Sequence, residues 1–99
     1  MKKVFVSLPM NGKTDEEILK EREECFERAK HILGEDTELI DTFITEDPPE
    51  GCNVGLWYLA KSLELMANAD IVYLAHGWDE ARGCVLEHEA AIHYGIKCI

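Results

Sequence analysis

Hydrophobic residues follow two different periods along this chain, and the alternation between them predicts strands and helices in turn. Short segments that contain apolar residues and are typical of β-strands occupy residues 4–6, 38–43, 70–75 and 97–99. Apolar residues at helical spacing predict helices over about 14–33, from 53 or 54 to 68, and from 83 to 94. The order β-α-β-α-β-α-β, with long crossovers, predicts a single α/β domain over residues 1–99. We expect a Rossmann-like or flavodoxin-like open parallel sheet of about four strands, with helices on both faces.

The ends of the predicted elements bring three loops to one edge of this sheet. Thr14 lies three residues before Glu17, a capping box that starts the first helix, and Gly34 ends that helix. Loops 7–13, 41–53 and 76–83 each follow a strand, so they converge where open parallel sheets bind ligands. The long loop 41–53 contains Pro-Pro-Glu-Gly and is either a functional loop or a plain surface connection.

Charge and cysteine content narrow the kinds of partner. The chain carries 10 lysine and arginine residues against 20 aspartate and glutamate residues, a formal charge of −10. Because nucleic-acid polymers and anionic membranes are bound chiefly by clustered basic groups, neither is expected, whereas a small molecule needs only one or two local cations. The cysteines are spaced too irregularly for a zinc or redox pair, and no metal, redox cofactor, secretory segment or membrane-spanning run is indicated. We therefore expect a cytoplasmic protein with free thiols.

The third predicted helix carries the most informative pattern. Gly83, Glu87, Ala91 and Gly95 recur every four residues, so they form one ridge whose small residues let the helix approach a neighbouring backbone. Glu87 is the exception, a carboxylate in a row of small residues, one turn beyond the loop that follows the third strand. Spacing alone leaves two interpretations open: a solvent-exposed helix glutamate or a functional carboxylate.

Four short motifs together carry a family resemblance: Ser-x-Pro-Met-x-Gly (7–12), Ala-Asp-Ile-Val (69–72), Gly-Trp (77–78) and Gly-x-x-x-Glu-x-x-x-Ala-x-x-x-Gly (83–95). In their order and spacing, over residues 4–99, the chain resembles the nucleoside 2-deoxyribosyltransferase-like superfamily, in particular its small bacterial and phage branch. The resemblance implies a Rossmann-like domain that cleaves the bond between a base and the anomeric carbon of a ribose or deoxyribose. It also implies that Glu87 attacks this carbon to form a covalent glycosyl-enzyme, which water or a second base resolves.

Glu87 has to be ionised for this attack. A helix N-terminus stabilises the anion by about 0.3–1 kcal/mol. Full burial among apolar groups raises the pKa of a carboxyl by more than such a terminus lowers it. The hypothesis therefore requires Glu87 to lie in an open cleft or to be hydrogen-bonded.

The remaining candidates lie in the three convergent loops. Residues 7–12 either line the sugar or its 5′ substituent or form an ordinary loop. Asp41, at the end of the second strand, is a candidate for reaching the ligand. Trp78 either stacks on the base or sugar or packs against the protein, and Arg82 either binds a 5′-phosphate or pairs with Asp79 or Glu80. Beside Glu87, the candidate substrate-binding residues are Ser7, Pro9, Met10, Gly12, Asp41, Gly77, Trp78, Arg82 and Gly83.

Two positions depart from the family pattern. Ser62 stands where relatives commonly have an aspartate that contacts the nucleoside, and Ala81 stands where they have a serine or aspartate that holds the 5′ group. Without such side chains the sugar is poorly oriented and reacts slowly. Three functions therefore stay open: an N-glycosidase or deoxyribosyltransferase, an inactive nucleotide-binding or sensor module, and a structural protein. Because the family often completes its pocket with a neighbouring subunit, the resemblance also implies a homo-oligomer.

Overall fold

A four-stranded parallel sheet, seen in a computed structural model that describes residues 1–34 and 36–99, confirms the predicted α/β fold. The strands are β1 (Lys2–Ser7), β2 (Thr37–Leu39), β3 (Ile71–Leu74) and β4 (Lys97–Cys98). The helices are α1 (Asp15–Leu33), α2 (Val54–Met66) and α3 (Arg82–His93). The strands follow the order β2-β1-β3-β4 and every pair is parallel, as helical crossovers require.

The strand order creates a crevice at the carboxyl ends of β1 and β3. These two strands are neighbours at the centre of the sheet, and Ser7 pairs with Leu74 at their carboxyl ends. The helices that follow them cover opposite faces of the sheet, because α1 packs on one face and α3 on the other. A doubly wound sheet binds ligands at such a point, where the connections diverge.

Alternating side chains of the central strands build a separate core on each face. Val4 and Val6 point to one face, where they pack against α1. Phe5 and Val72 point to the other face, where they pack against α2 and α3. This arrangement follows from the two-residue period of a strand. Each fully buried valine or phenylalanine contributes about 1.5–3 kcal/mol, so both cores hold β1 at the centre.

Helix α1 begins and ends where the sequence predicts. Thr14 Oγ1 accepts a hydrogen bond from the Glu17 amide at 3.2 Å, and the Glu17 carboxylate accepts one from the Thr14 amide at 3.0 Å. This capping box satisfies two amide groups that a helix start otherwise leaves free. Gly34 ends the helix in the left-handed conformation with φ +63°.

The second strand is shorter than predicted. Pairing with β1 continues only to Ile40, whose amide donates to the Val4 carbonyl at 2.9 Å. The Asp41 carboxylate then accepts a hydrogen bond from the Phe43 amide at 3.0 Å, a local turn that bends the chain away from the sheet. The strand predicted over 38–43 therefore exists, but it ends earlier than predicted.

The prediction that Gly83 and Gly95 lie on one ridge of α3 against a neighbouring backbone is wrong. Ala91 is fully buried against the sheet, but Gly83 and Gly95 are exposed, and a Cβ atom built on either would meet no atom within 4 Å. Gly95 instead ends the helical segment with φ +74°, a conformation that glycine adopts without strain. Close approach of α3 to the sheet depends on Ala91.

Two further expectations concern the cysteines and the absence of a membrane-spanning helix. All four cysteines are free thiols, as their irregular spacing predicts. No helix in the described ranges is both long and apolar enough to cross a membrane.

Candidate active site

Glu87 is buried in the second turn of α3 and bonded to the end of β1. Its side chain is 8% exposed, which excludes the interpretation of a solvent-exposed helix glutamate. The Ser7 hydroxyl donates a hydrogen bond to Glu87 Oε1 at 2.7 Å, and Ser7 itself is 1% exposed. A reactive Glu87 has to lie in an open cleft or be hydrogen-bonded, and this hydrogen bond meets the second condition.

Strand alternation and a tight turn bring these two residues together. Ser7 lies two residues after Phe5 and so points to the same face of the sheet, toward α3. Gly77 turns the chain after β3 with φ +83°, and a short 3-10 turn at Trp78–Glu80 leads directly into α3. One turn into that helix, Glu87 reaches the carboxyl end of β1.

The environment of Glu87 opposes its ionisation. Burial raises the pKa of Glu87 above its ordinary value, and hydrogen bonds from the hydroxyls of Ser7 and Ser62 offset this only in part. Because hydrogen bonds to a charged acceptor are stronger than neutral ones, these hydroxyls favour the carboxylate over the acid. The carboxyl group is therefore ionised only at a higher pH than an exposed glutamate.

Ser62, one of the two departures from the pattern of the superfamily that the chain resembles, brings a second hydroxyl group to the surroundings of Glu87. The residue lies on α2, is buried and faces Glu87 across the same small cavity. Its hydroxyl takes part in the hydrogen bonding that lowers the pKa of Glu87. A neutral hydroxyl at this position avoids a second negative charge beside Glu87.

A cavity of about 20 Å³ lies beside Glu87 at the carboxyl end of β1. A space of this size holds about one water molecule, whereas pockets for drug-sized ligands measure about 300–1,000 Å³. A nucleoside therefore has to open the cavity or present one group at its mouth. The cavity is lined by Val6, Leu8, Met10, Arg22, Thr42, Ser62 and Glu87.

Among the candidates in the first loop, the structure brings Ser7 and Met10 to Glu87. Met10 lines the cavity but is 52% exposed, so it forms the outer wall. Pro9 lies against the turn after β3, since its Cγ is 3.6 Å from the position that a Cβ atom on Gly77 would occupy. Gly12 turns the loop with φ +78° and does not line the cavity.

The other candidates lie outside the cavity lining. The Trp78 ring packs on His88 with centroids 4.5 Å apart, as its packing interpretation predicts. Arg82 is exposed and reaches over Gly55, and within the described part of the chain it forms no ion pair with Asp79 or Glu80. Asp41 and Gly83 are also exposed.

A model of one protein family covers nearly the whole chain. The family is described as Domain of unknown function (DUF4406), and its model matches residues 2–99. The chain belongs to the DUF4406 family. Neither a curated protein nor a solved structure matches it. Because the family description states no activity, the function of this DUF4406 protein has to be argued from the chemistry of the site.

Two residues that line the cavity, Arg22 and Thr42, were not among the candidates predicted from the sequence. Arg22 is 5% exposed, and its Nε atom is buried with no hydrogen-bond partner in the described residues. The Thr42 hydroxyl is likewise buried and unpartnered there. Arg22 had a signal in the sequence, because it shares the apolar stripe of α1 with Ile18 and Cys25 at helical spacing.

A second hollow lies at the opposite edge of the sheet and is a poor candidate for chemistry. It measures about 320 Å³, is open to solvent and lies at the amino ends of the strands. Its walls are formed by Met1, Lys2, Asp36 and Asp70, none of which is buried. Since parallel sheets bind ligands at the carboxyl ends, the small cavity beside Glu87 is the better site.

Proposed function

We propose that this DUF4406 protein cleaves or transfers the N-glycosidic bond of a nucleoside or nucleotide, with Glu87 as the nucleophile. The observation that supports this proposal is the buried Glu87 carboxyl group, hydrogen-bonded to Ser7 between the carboxyl ends of β1 and β3. A carboxylate held in this way suits attack on an electron-poor sugar carbon, since it is oriented before the substrate arrives.

The proposed reaction has two steps at the anomeric carbon. In the first, a Glu87 oxygen forms a bond to this carbon while the bond to the base breaks, and the electron pair leaves with the base, which takes a proton from water. In the second, water or another base attacks the same carbon and gives up a proton to solvent water, and the carboxylate of Glu87 is released. The Ser7 hydroxyl holds Oε1 at 2.7 Å, which orients the group in both steps.

Substrate has to enter past Met10 in this proposal. The cavity holds about one water molecule, and Met10 is its most exposed wall. The anomeric carbon would approach Glu87 as the flexible Met10 side chain moves aside, with the base outside the cavity. Met10→Ala is then expected to lower KM by widening the entrance.

A nucleotide-binding or sensor module without turnover is the second candidate. Three points favour it: the cavity is small, burial raises the pKa of Glu87, and Ser62 and Ala81 stand where the nucleoside 2-deoxyribosyltransferase-like superfamily that the chain resembles has side chains that orient the sugar. In this case the site would bind a nucleotide and leave its glycosidic bond intact.

Base release from a panel of nucleosides and nucleotides, followed by chromatography, tests the two candidates. The proposed enzyme releases base, and Glu87→Gln abolishes this release. Glu89→Gln, an exposed glutamate on the same helix, is the matched control and should retain full activity. Equal release by wild type and Glu87→Gln would exclude Glu87 as nucleophile. Absence of release together with thermal stabilisation by a nucleotide would favour the binding module.

A covalent intermediate offers a more direct test. A 2-fluoro nucleoside slows the second step, so the sugar should remain on the protein and raise its intact mass by the mass of one fluorosugar. Peptide mapping should place the sugar on Glu87. A sugar on any other residue would contradict the assignment.

We also propose that the protein is a cytoplasmic homo-oligomer. Large apolar side chains are exposed along α2 and around the end of α3, including Leu56 at 62% and Tyr94 at 84% exposure. Such side chains gain about 25 cal/mol for each Å² of apolar surface that a partner covers. Free thiols at all four cysteines agree with a reducing compartment. Sedimentation equilibrium should give a dimer or higher species, and a monomer at micromolar concentration would contradict the proposal.

A further inference from the structure

Arg22 occupies a position that a surface helix normally gives to an apolar residue. It lies on the buried stripe of α1 with Ile18, Cys25 and Ala29, and only 5% of it is exposed. Burial lowers the pKa of the guanidinium, and the charge of Asp41 offsets this only in part. A buried cation is costly unless an anion or hydrogen-bond acceptors face it.

The described part of the chain supplies no such partner. No carboxylate there lies within ion-pair distance of Arg22, and its Nε atom has no acceptor. Asp41, whose charge acts on Arg22, is exposed and accepts a hydrogen bond from the Phe43 amide. The positive charge is therefore left for a group that comes from outside the chain.

Arg22 shares the cavity with a second buried group that lacks a partner, the hydroxyl of Thr42. This hydroxyl has no hydrogen-bond partner among residues 1–34 and 36–99, and both Arg22 and Thr42 form the wall of the cavity. Ser62 also lines the wall, but its hydroxyl already takes part in the hydrogen bonding of Glu87. The Arg22 guanidinium and the Thr42 hydroxyl, beside a space for one oxygen-sized group, are donors for an oxyanion.

We propose that Arg22 and Thr42 form an oxyanion-binding site, and that the group they hold is a phosphate. One phosphate oxygen would enter the cavity, and the rest of the group would stay at its mouth. A tetrahedral phosphate offers oxygens in several directions, and arginine is well suited to binding it. This binding goes beyond the glycosidic reaction, because it does not require Glu87 to react.

The Glu87 carboxylate faces the same cavity and opposes an anion when it is ionised. Glu87→Gln should therefore bind phosphate at least as tightly as wild type while it loses any base release. Phosphate binding without base release would support the anion site and contradict the glycosidic reaction. Base release from neutral nucleosides without phosphate binding would support the glycosidic reaction and contradict the anion site, so the two proposals can fail separately.

Calorimetric titration at constant ionic strength tests the site, with inorganic phosphate, ribose 5-phosphate and neutral ribose as probes. Arg22→Met should weaken phosphate binding by about tenfold or more, since a charge-assisted hydrogen bond is lost. Lys20→Met, which removes an exposed charge from the same helix, should bind as wild type does. Binding of inorganic phosphate alone would identify the free anion as ligand, and tighter binding of ribose 5-phosphate would identify a sugar phosphate.

Three results would overturn the proposal: no saturable binding of either phosphate probe, equal weakening by Arg22→Met and Lys20→Met, or unchanged binding by Arg22→Met. If Arg22→Met does not fold, as circular dichroism would show, Thr42→Val decides the question. This variant keeps the shape of the side chain and removes the hydroxyl. It should weaken phosphate binding several-fold and leave the fold intact.

Discussion

Replacing Ser7 with alanine should destabilise the protein in a way that depends on pH. The Ser7 hydroxyl donates to Glu87 Oε1 at 2.7 Å between two buried side chains. In Ser7→Ala the carboxylate loses this donor, and a water molecule has little room to replace it in a cavity of about 20 Å³. The pKa of Glu87 should then rise further, because a hydrogen bond that lowers it is gone.

The size of the effect follows from the charge on the acceptor. A hydrogen bond to a charged group contributes about 1.5–3 kcal/mol, and a neutral one about 0.5–1.5 kcal/mol. A loss of 1 kcal/mol lowers Tm by about 4–8 °C in a domain of this size. Ser7→Ala should therefore lower Tm by about 6–24 °C where Glu87 is ionised, and by less in acid where Glu87 is protonated.

Thermal unfolding of four proteins measures this coupling: wild type, Ser7→Ala, Glu87→Gln and the double variant. Repeating the cycle at about pH 4 and at a pH above the raised pKa of Glu87 compares its protonated and ionised states. The coupling energy should be larger at the higher pH. A coupling near zero, or one that is the same at both pH values, would refute the reasoning.

Three further outcomes are expected. Because burial raises the pKa of Glu87, its contribution to stability is full below the ordinary glutamate pKa and is lost as pH rises through the raised value. The Tm of Glu87→Gln relative to that of wild type should accordingly rise with pH, and a Tm difference that stays constant from about pH 4 upward would contradict this. Thr14→Ala removes the N-cap of α1 and should cost about 0.5–2 kcal/mol in urea unfolding, whereas an unchanged midpoint would show that the cap adds nothing. Burial raises the pKa of the Cys84 thiol, so a maleimide should modify Cys84 far more slowly than the half-buried Cys52 in the native state; equal rates, followed by peptide mapping, would argue against its burial.

Two buried ionisable groups share one small cavity in this protein. Glu87 and Arg22 both line it, yet no ion pair joins them in the described residues. Uncompensated buried charges destabilise a fold, and their replacement by neutral residues often stabilises it. Gains in stability from Glu87→Gln and Arg22→Met, with loss of reaction or binding, would show that the site is maintained for function.

The order of the elements was predictable because its signals are local. Helix α1 follows from the spacing of its apolar residues, the Thr14 capping box and Gly34. Apolar spacing likewise predicted that α2 begins at 53 or 54, and the Asn53 side chain caps the helix there. The end of β2 was not predictable from periodicity, because Asp41 turns the chain through a hydrogen bond while the apolar pattern continues.

The candidate site was predictable only in outline. Glu87 was singled out by a resemblance in motif order, since helical spacing alone did not distinguish an exposed glutamate from a buried one. Ser7 was expected near the ligand, but its bond to Glu87 joins residues 80 positions apart. Arg22 and Thr42 carried no motif, and their shared cavity exists only because α1 and the chain after β2 meet at the end of β1.

The sequence by itself determined which segments are strands or helices, where most of them stop, and that the sheet is parallel with helices on both faces. These features depend on periodicity and capping within a few residues. Burial of Glu87, its bond to Ser7 and the unpartnered charge of Arg22 were decided by the tertiary structure. They depend on which elements become neighbours, and the strand order β2-β1-β3-β4 brings the ends of distant segments to one cavity.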